Sequence, residues 1–148
     1  MTVKITPALE DYLESILIIQ ERGNVPRVKD IARMINVKAP SVIEALSHLQ
    51  KKGLVVHERY GYIEMTSKGL KKAKKLYGRH LLLKKFFQDV LGLDKKLAEE
   101  DACRIEHYLS QETLNRMLSF INFIEDHPEE KPDWLSDFQS LIEGNHKG

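Results

Sequence analysis

A chain of 148 residues, 42% hydrophobic and 30% charged, has the composition of a globular protein built as one domain or two small ones. No run approaches the roughly 18 apolar residues of a membrane span; the N-terminus lacks the apolar core of a secretory signal; and the one cysteine, Cys103, admits no internal disulfide, so a cytoplasmic protein is expected. The net charge of +1 hides a division: residues 1–88 carry 17 Lys/Arg against 8 Asp/Glu, and residues 89–148 carry 6 against 14, so a basic half that suits a polyanion precedes an acidic half that suits cations or a solvated surface.

Thr6-Pro7 pairs a capping hydroxyl with proline at the first helical position. Leu9, Leu13, Ile16 and Leu17 give the helix that follows an apolar face as far as about Gln20, where "ERGN" breaks it. A second, short helix is predicted in "RVKDIARMI", with Val28, Ile31, Ala32 and Ile35 at helical spacing. After the turn "NVKA" a third runs from Pro40 to Lys52, closed by Gly53. The period then changes. "LVVHE" and "YIEMT" read as the strands of a hairpin joined across Arg59-Tyr60-Gly61. A long basic helix follows from about Ser67 to Leu91, its apolar side marked by Leu70, Ala73, Tyr77, Leu81 and Phe87. Three more helices are expected at roughly 95–108, 111–125 and 133–143, with Ser110 capping the second and His127-Pro128 through Pro132 separating the last two.

Two short helices about a tight turn, followed by a hairpin, are the layout of a winged helix-turn-helix, whose second helix enters the major groove with its N-terminal residues leading. Here those residues are Lys38, Ala39, Pro40, Ser41, Ile43 and Glu44, with Ser47, His48 and Lys51 further along, while Val42, Leu46 and Leu49 face inward. Ser41 can donate or accept, Glu44 can accept from a cytosine amine, and Ile43 can pack on a thymine methyl. Arg27, Lys29, Lys38, Lys51, Lys52 and Arg59 are placed to meet phosphates, with Tyr60 beside them at the hairpin tip, and such contacts make affinity fall with salt. The competing reading is ordinary helix packing under a solvated lysine face. The order helix, turn, helix, hairpin, with "MTSKG" opening the next helix, favours DNA.

In the acidic half, "CRIEHYLS" puts Glu106 and His107 three and four residues after Cys103, about one turn on along a helix. Asp11 and Glu14 stand three apart on the first helix, and His80 lies toward the packed side of the long one, near Tyr77 and Leu83 in helical spacing. Singly, each has a plainer reading: a solvated acidic face, a satisfied core histidine, a small buried thiol. Jointly they offer carboxylate, imidazole and thiolate donors, a mix that suits a divalent first-row metal.

These residues resemble the diphtheria toxin repressor family of metal-dependent transcriptional regulators, in particular its shorter, two-domain manganese transport regulator branch. The likeness runs from "LEDYLESIL" through "RVKDIARMINVKAPSVIEALSHLQKKGLV", "MTSKG" and "RHLLLKKFF" to "EEDACRIEHYLS". It implies a mainly α homodimer: a winged helix-turn-helix DNA-binding domain over residues 1–66, then a helical metal-binding and dimerisation domain over 67–148 that begins with a connecting helix at 67–91. No SH3-like domain is expected. The family's metal positions fall on Asp11, Glu14, His80, Cys103, Glu106 and His107, with Glu99 as a further possible ligand. Aspartate at position 11 matches the manganese-responsive members and cysteine at 103 the iron-responsive ones; Lys84 stands where many members have glutamate, and Glu99 where the toxin-repressor type has histidine. The resemblance thus implies a repressor of metal-uptake genes with Fe²⁺ or Mn²⁺ as co-repressor, for which Co²⁺, Ni²⁺ or Zn²⁺ can substitute in vitro. A palindromic operator is its expected partner, with no membrane and no small-molecule substrate.

Three rivals are distinguishable. A winged-helix regulator that senses an oxidant or small organic ligand would depend on Cys103 and not on Asp11 or His80. A winged helix used only for protein contacts would show no salt-dependent DNA binding. A metalloenzyme finds no support, since the chain has no HExxH, no glycine-rich phosphate loop and no nucleophile elbow.

Overall fold

The computed structural model describes residues 3–58, 61–126 and 133–146, and its first helix, α1 (Pro7–Glu21), begins at the predicted cap. The Thr6 hydroxyl accepts from the Leu9 amide at 3.2 Å and Pro7 occupies the first turn, where its missing N–H costs nothing. α2 (Val28–Ile35) ends at Asn36, which takes the left-handed conformation at φ 61° that asparagine tolerates better than most residues. α3 (Ala39–Lys51) is followed by Gly53 at φ 74°, whose amide donates back to Gln50 O at 2.9 Å and turns the chain into the hairpin. That hairpin pairs β1 (Val55–His57) with β2 (Ile63–Met65) antiparallel, in the register Val55↔Met65, Val56↔Glu64, His57↔Ile63. Val55 and Ile63 point into the core while Val56 and Glu64 are exposed, as the period of two requires.

Four helices follow: α4 (Ser67–Asp89), α5 (Lys95–Ile105), α6 (Gln111–Glu125) and α7 (Asp133–His146). α4 stops two residues before the expected end, as the Val90 and Leu91 amides both turn to Phe86 O and Gly92 goes left-handed at φ 70°. α5 stops three residues short of the expected end. Ser110 must be extended (φ −68°, ψ 155°) for its hydroxyl to cap α6 through the Thr113 amide at 3.1 Å, so residues 106–108 unwind into a turn before it. α7 runs three residues further than expected, straight through Gly144. None of the described helices is long and apolar enough to cross a membrane.

The chain divides into two compact units, Met1–Tyr77 and Gly78–Gly148, with the boundary inside α4. The first is a winged helix-turn-helix. Its core gathers Leu13, Ile16 and Leu17 of α1, Ile31 of α2, Val42, Leu46 and Leu49 of α3, Leu54 and Ile63 of the wing, and Ala73 and Leu76 of α4. The three α3 residues predicted to face inward are all 0% exposed. In the second unit, Leu83 of α4, Ala102 of α5 and Leu114 of α6 form the buried centre, with Phe87, Ile105, Leu109 and Met117 packed around it.

Candidate nucleic-acid interface and metal centre

In the first unit, the face of α3 opposite the core carries Ala39, Pro40, Ser41, Ile43, Glu44, Ser47, His48 and Lys51, all exposed, with Lys38 just before the helix. Ile43 is 51% exposed, which leaves its apolar surface available to a thymine methyl. Arg27 and Lys29, at the start of α2, are exposed as well. The Arg27 guanidinium sits over the Tyr62 ring, 5.5 Å from its centroid, so one cation links the helix pair to the wing. Tyr62 was not singled out from the sequence. Its only signal there is strand alternation, which turns it outward beside the inward Ile63. Arg59 and Tyr60 lie outside the described residues. The hydroxyl, carboxylate, aliphatic and cationic groups on this face are the types that read base edges and hold phosphates.

Of the expected metal residues, Asp11 and Glu14 belong to the first unit. They lie one turn apart on α1 with a carboxylate oxygen of each within 4.8 Å of the other, Glu14 buried and Asp11 exposed. The other five come together in the second unit. His80 on α4 is 4% exposed, and both its ring nitrogens face carboxylates: Nδ1 lies 2.8 Å from Glu106 Oε2, and Nε2 lies 2.8 Å from Glu99 Oε1. The exposed Cys103 brings Sγ to 3.8 Å from His80 Nδ1. Glu106 is 1% exposed, and its second oxygen stands 3.4 Å from Nε2 of His107, whose side chain is also buried. The spacing seen in the sequence thus sorts its three residues by depth, with the thiol at the rim and the carboxylate and second imidazole inside.

A neutral imidazole has one N–H, so a ring facing a carboxylate from each nitrogen holds a second proton or needs another cation. Burial by itself lowers the pKa of His80, but the hydrogen bonds and electrostatic attraction from Cys103 and Glu106 outweigh it and push it up to about 11. Glu99 is raised by partial burial, yet the charges of His80 and Lys84 and their hydrogen bonds hold it below the usual carboxylate range. The buried Glu106 Oε1 accepts no hydrogen bond among the described residues. Imidazole, carboxylate and thiol donors therefore suit a divalent transition ion, since each donor type is a known ligand and the buried Glu106 needs positive charge.

With its pKa raised from 6.5 to about 11, His80 is an imidazolium at neutral pH and must surrender the Nδ1 proton before that nitrogen can ligate. Affinity for Mn²⁺ is therefore expected to climb with pH, by approaching tenfold per unit from this group between pH 6.5 and 8.5, with about one proton released per ion. In the chelated protein the stabilisation from this imidazolium is complete below 6.5 and is lost as pH rises through about 11. Calorimetry in buffers of different ionisation enthalpy checks the proton count. A pH-independent affinity would contradict the protonated ring.

A winged-helix reader, followed by a helical unit that gathers buried imidazole and carboxylate donors, is the build of a metal-responsive DNA-binding regulator. Residues 4–63 match the family described as "Iron dependent repressor, N-terminal DNA binding domain", and residues 66–135 match "Iron dependent repressor, metal binding and dimerisation domain". An HTH-type transcriptional regulator of Methanocaldococcus jannaschii is 38% identical over 120 residues, which cover 80% of this chain and 96% of that one. The HTH-type transcriptional regulator MntR of Bacillus subtilis is 34% identical over 131 residues, 88% of this chain and 92% of that one. Among solved structures, the manganese regulator SloR superposes with a TM-score of 0.71 at 32% identity over 80% of this chain. The present chain spans 55% of the SloR chain. The protein belongs to the iron-dependent repressor family. It is accordingly a metal-dependent transcriptional repressor and not an enzyme, with DNA and a second copy of itself as partners.

Proposed function

We propose that the protein represses metal-uptake genes in the cytoplasm when Fe²⁺ or Mn²⁺ is plentiful, binding a palindromic operator as a homodimer. In this reading residues 1–66 are the reading head and residues 67–148, beginning with the connecting helix, carry the metal and dimer functions. The observation that carries it is the cluster around His80, in which a buried ring lies between two carboxylates at 2.8 Å with a thiol 3.8 Å away. His80, Cys103, Glu106 and His107 are taken as ligands from that cluster and from the family resemblance. Asp11 and Glu14 join them on the resemblance alone, and Glu99 borders the cluster at His80 Nε2. A bound divalent ion supplies the positive charge that these acids otherwise draw from the His80 proton. The oxygen ligands suit manganese and iron alike, and the Cys103 sulfur favours iron, cobalt, nickel and zinc over manganese.

On the DNA side, Ser41, Ile43 and Glu44 read bases, with Ala39, Pro40, Ser47 and His48 flanking them. Lys38, Lys51, Arg27, Lys29 and Arg59 meet phosphates, and Tyr60 is assigned to DNA contact from the sequence alone. The test is operator binding titrated anaerobically with Fe²⁺ and with Mn²⁺, using His107→Ala as control. Tight binding should require the metal and be lost in the variant. Tight binding by the chelated wild type overturns the proposal. In the same assay Lys38→Ala should weaken all sequences alike and reduce the salt slope by about one, whereas Glu44→Ala should relax preference at one base pair, by about 1–3 kcal/mol.

A further inference from the structure

Chemically, the two ring nitrogens of His80 look in different directions. Nδ1 faces the interior, with Glu106 Oε2 at 2.8 Å and Cys103 Sγ at 3.8 Å. Nε2 faces outward to Glu99 Oε1 at 2.8 Å, and the other oxygen of Glu99 lies 3.2 Å from the Lys84 ammonium. The Glu99 side chain is 47% exposed against 2% for Glu106. Helix geometry places these groups. Lys84 follows His80 by four residues on α4, so the ammonium rises on the same face one turn on; Glu99 precedes Cys103 by four on α5.

From this geometry we infer that Glu99 is a positioning residue and Lys84 its clamp. Glu99 accepts the Nε2 proton of His80 and so leaves Nδ1 as the nitrogen whose lone pair faces the other ligands. The inference rests on the reading of His80 as a metal ligand and deepens it. A carboxylate on the far nitrogen fixes the tautomer, the ring orientation and the basicity of a ligating histidine, and the carboxylate must itself be held. Lys84 holds this one. Acting as a ligand instead, Glu99 would share an ion with His80 and Cys103, whose donor atoms lie within 4.8 Å of its own, and that ion would meet the fixed positive charge of Lys84, 3.2 Å from the other oxygen of Glu99. The Lys84–Glu99 pair therefore tunes the affinity of His80 and adds no site of its own.

The test compares wild type, Glu99→Gln, Lys84→Met, Lys84→Arg and His80→Ala for the number of Mn²⁺ ions bound per chain and their affinity. Nitrogen-15 spectra of the imidazoles are recorded with Zn²⁺ as the diamagnetic probe. Expected are an unchanged number of ions in Glu99→Gln, an affinity lower by about 10–100-fold, a smaller loss in Lys84→Met that Lys84→Arg restores, and a proton on Nε2 of His80 in the Zn²⁺-loaded protein. Fewer ions per chain in Glu99→Gln, more in Lys84→Met, or a protonated Nδ1 in the loaded protein overturns the inference. Unchanged affinity in Glu99→Gln beside a large loss in His80→Ala overturns the role of Glu99 alone. Equal affinity in wild type and His80→Ala overturns the ligand assignment beneath it.

Discussion

Glu106→Ala is expected to abolish metal-dependent operator binding and to destabilise the chelated protein as well. The carboxylate is 1% exposed and its oxygens stand 2.8 Å from His80 Nδ1 and 3.4 Å from His107 Nε2. Without metal, its removal strips a buried imidazolium of its interior counter-ion. Breaking one side of such a buried pair typically costs about 3–5 kcal/mol, because the charge left behind cannot reach water. His80 relieves part of this by releasing its proton, so the pKa near 11 should fall back in the variant. On the proposed assignment of Glu106 as a ligand, metal affinity should drop by more than the roughly 10–100-fold that outer neighbours of a ligand command. Glu106→Gln separates the two effects. It keeps the shape and one acceptor oxygen but not the charge, so it should hold more of the fold while still losing most of the metal affinity. Thermal unfolding in chelator, paired with Mn²⁺ titration, reads both. An alanine variant that binds Mn²⁺ and operator as the wild type does would remove Glu106 from the site.

The winged helix was legible because each element announces itself over a few residues. The Thr6-Pro7 start, the αL turn at Asn36 and the Gly53 stop are local chemistry, and Val42, Leu46 and Leu49 mark the inner face of α3 by spacing alone. The triplet Cys103, Glu106, His107 was equally visible as spacing. What spacing does not carry is depth: that the thiol is exposed and the glutamate fully buried follows from where α5 ends and what packs over it. Nor does it carry the partners contributed by another element. Lys84 and Glu99 were visible as departures from a family pattern, but their mutual contact at 3.2 Å depends on α4 and α5 converging. Tyr62 was missed for the same reason, since the cation above it comes from Arg27, 35 residues earlier. Helix ends moved by two or three residues where a neighbouring cap made its own demand, as Ser110 does on α5.

The "MTSKG" segment supports the second large expectation, that Gly69→Ala disables the reading head. A Cβ at position 69 would fall 1.9 Å from Leu54 O and 2.8 Å from Leu54 C, both backbone atoms of the strand entry. That carbonyl is not at liberty to move, because it accepts from the Thr66 amide at 3.0 Å. The Thr66 hydroxyl meanwhile donates to Gly53 O at 2.7 Å and accepts from the Gly69 amide at 3.0 Å. One threonine thus pins the first turn of α4 to the junction between α3 and the wing, and the glycine is the room that the pinning needs. Overpacking against side chains costs about 1–3 kcal/mol and occasionally more. Against fixed backbone the upper end applies, and any relief must shift the wing relative to α3, which is the geometry that DNA reads. Operator affinity should therefore collapse and the unfolding midpoint fall. Gly78→Ala is the control: the same helix, open space around its Cβ and an interior position where alanine is the better helix former by roughly 0.4–1 kcal/mol. It should raise the midpoint slightly. If both variants behave alike, the packing of Gly69 against Leu54 is not what positions the wing, and the hairpin must be held by its strands and the Arg27–Tyr62 contact instead.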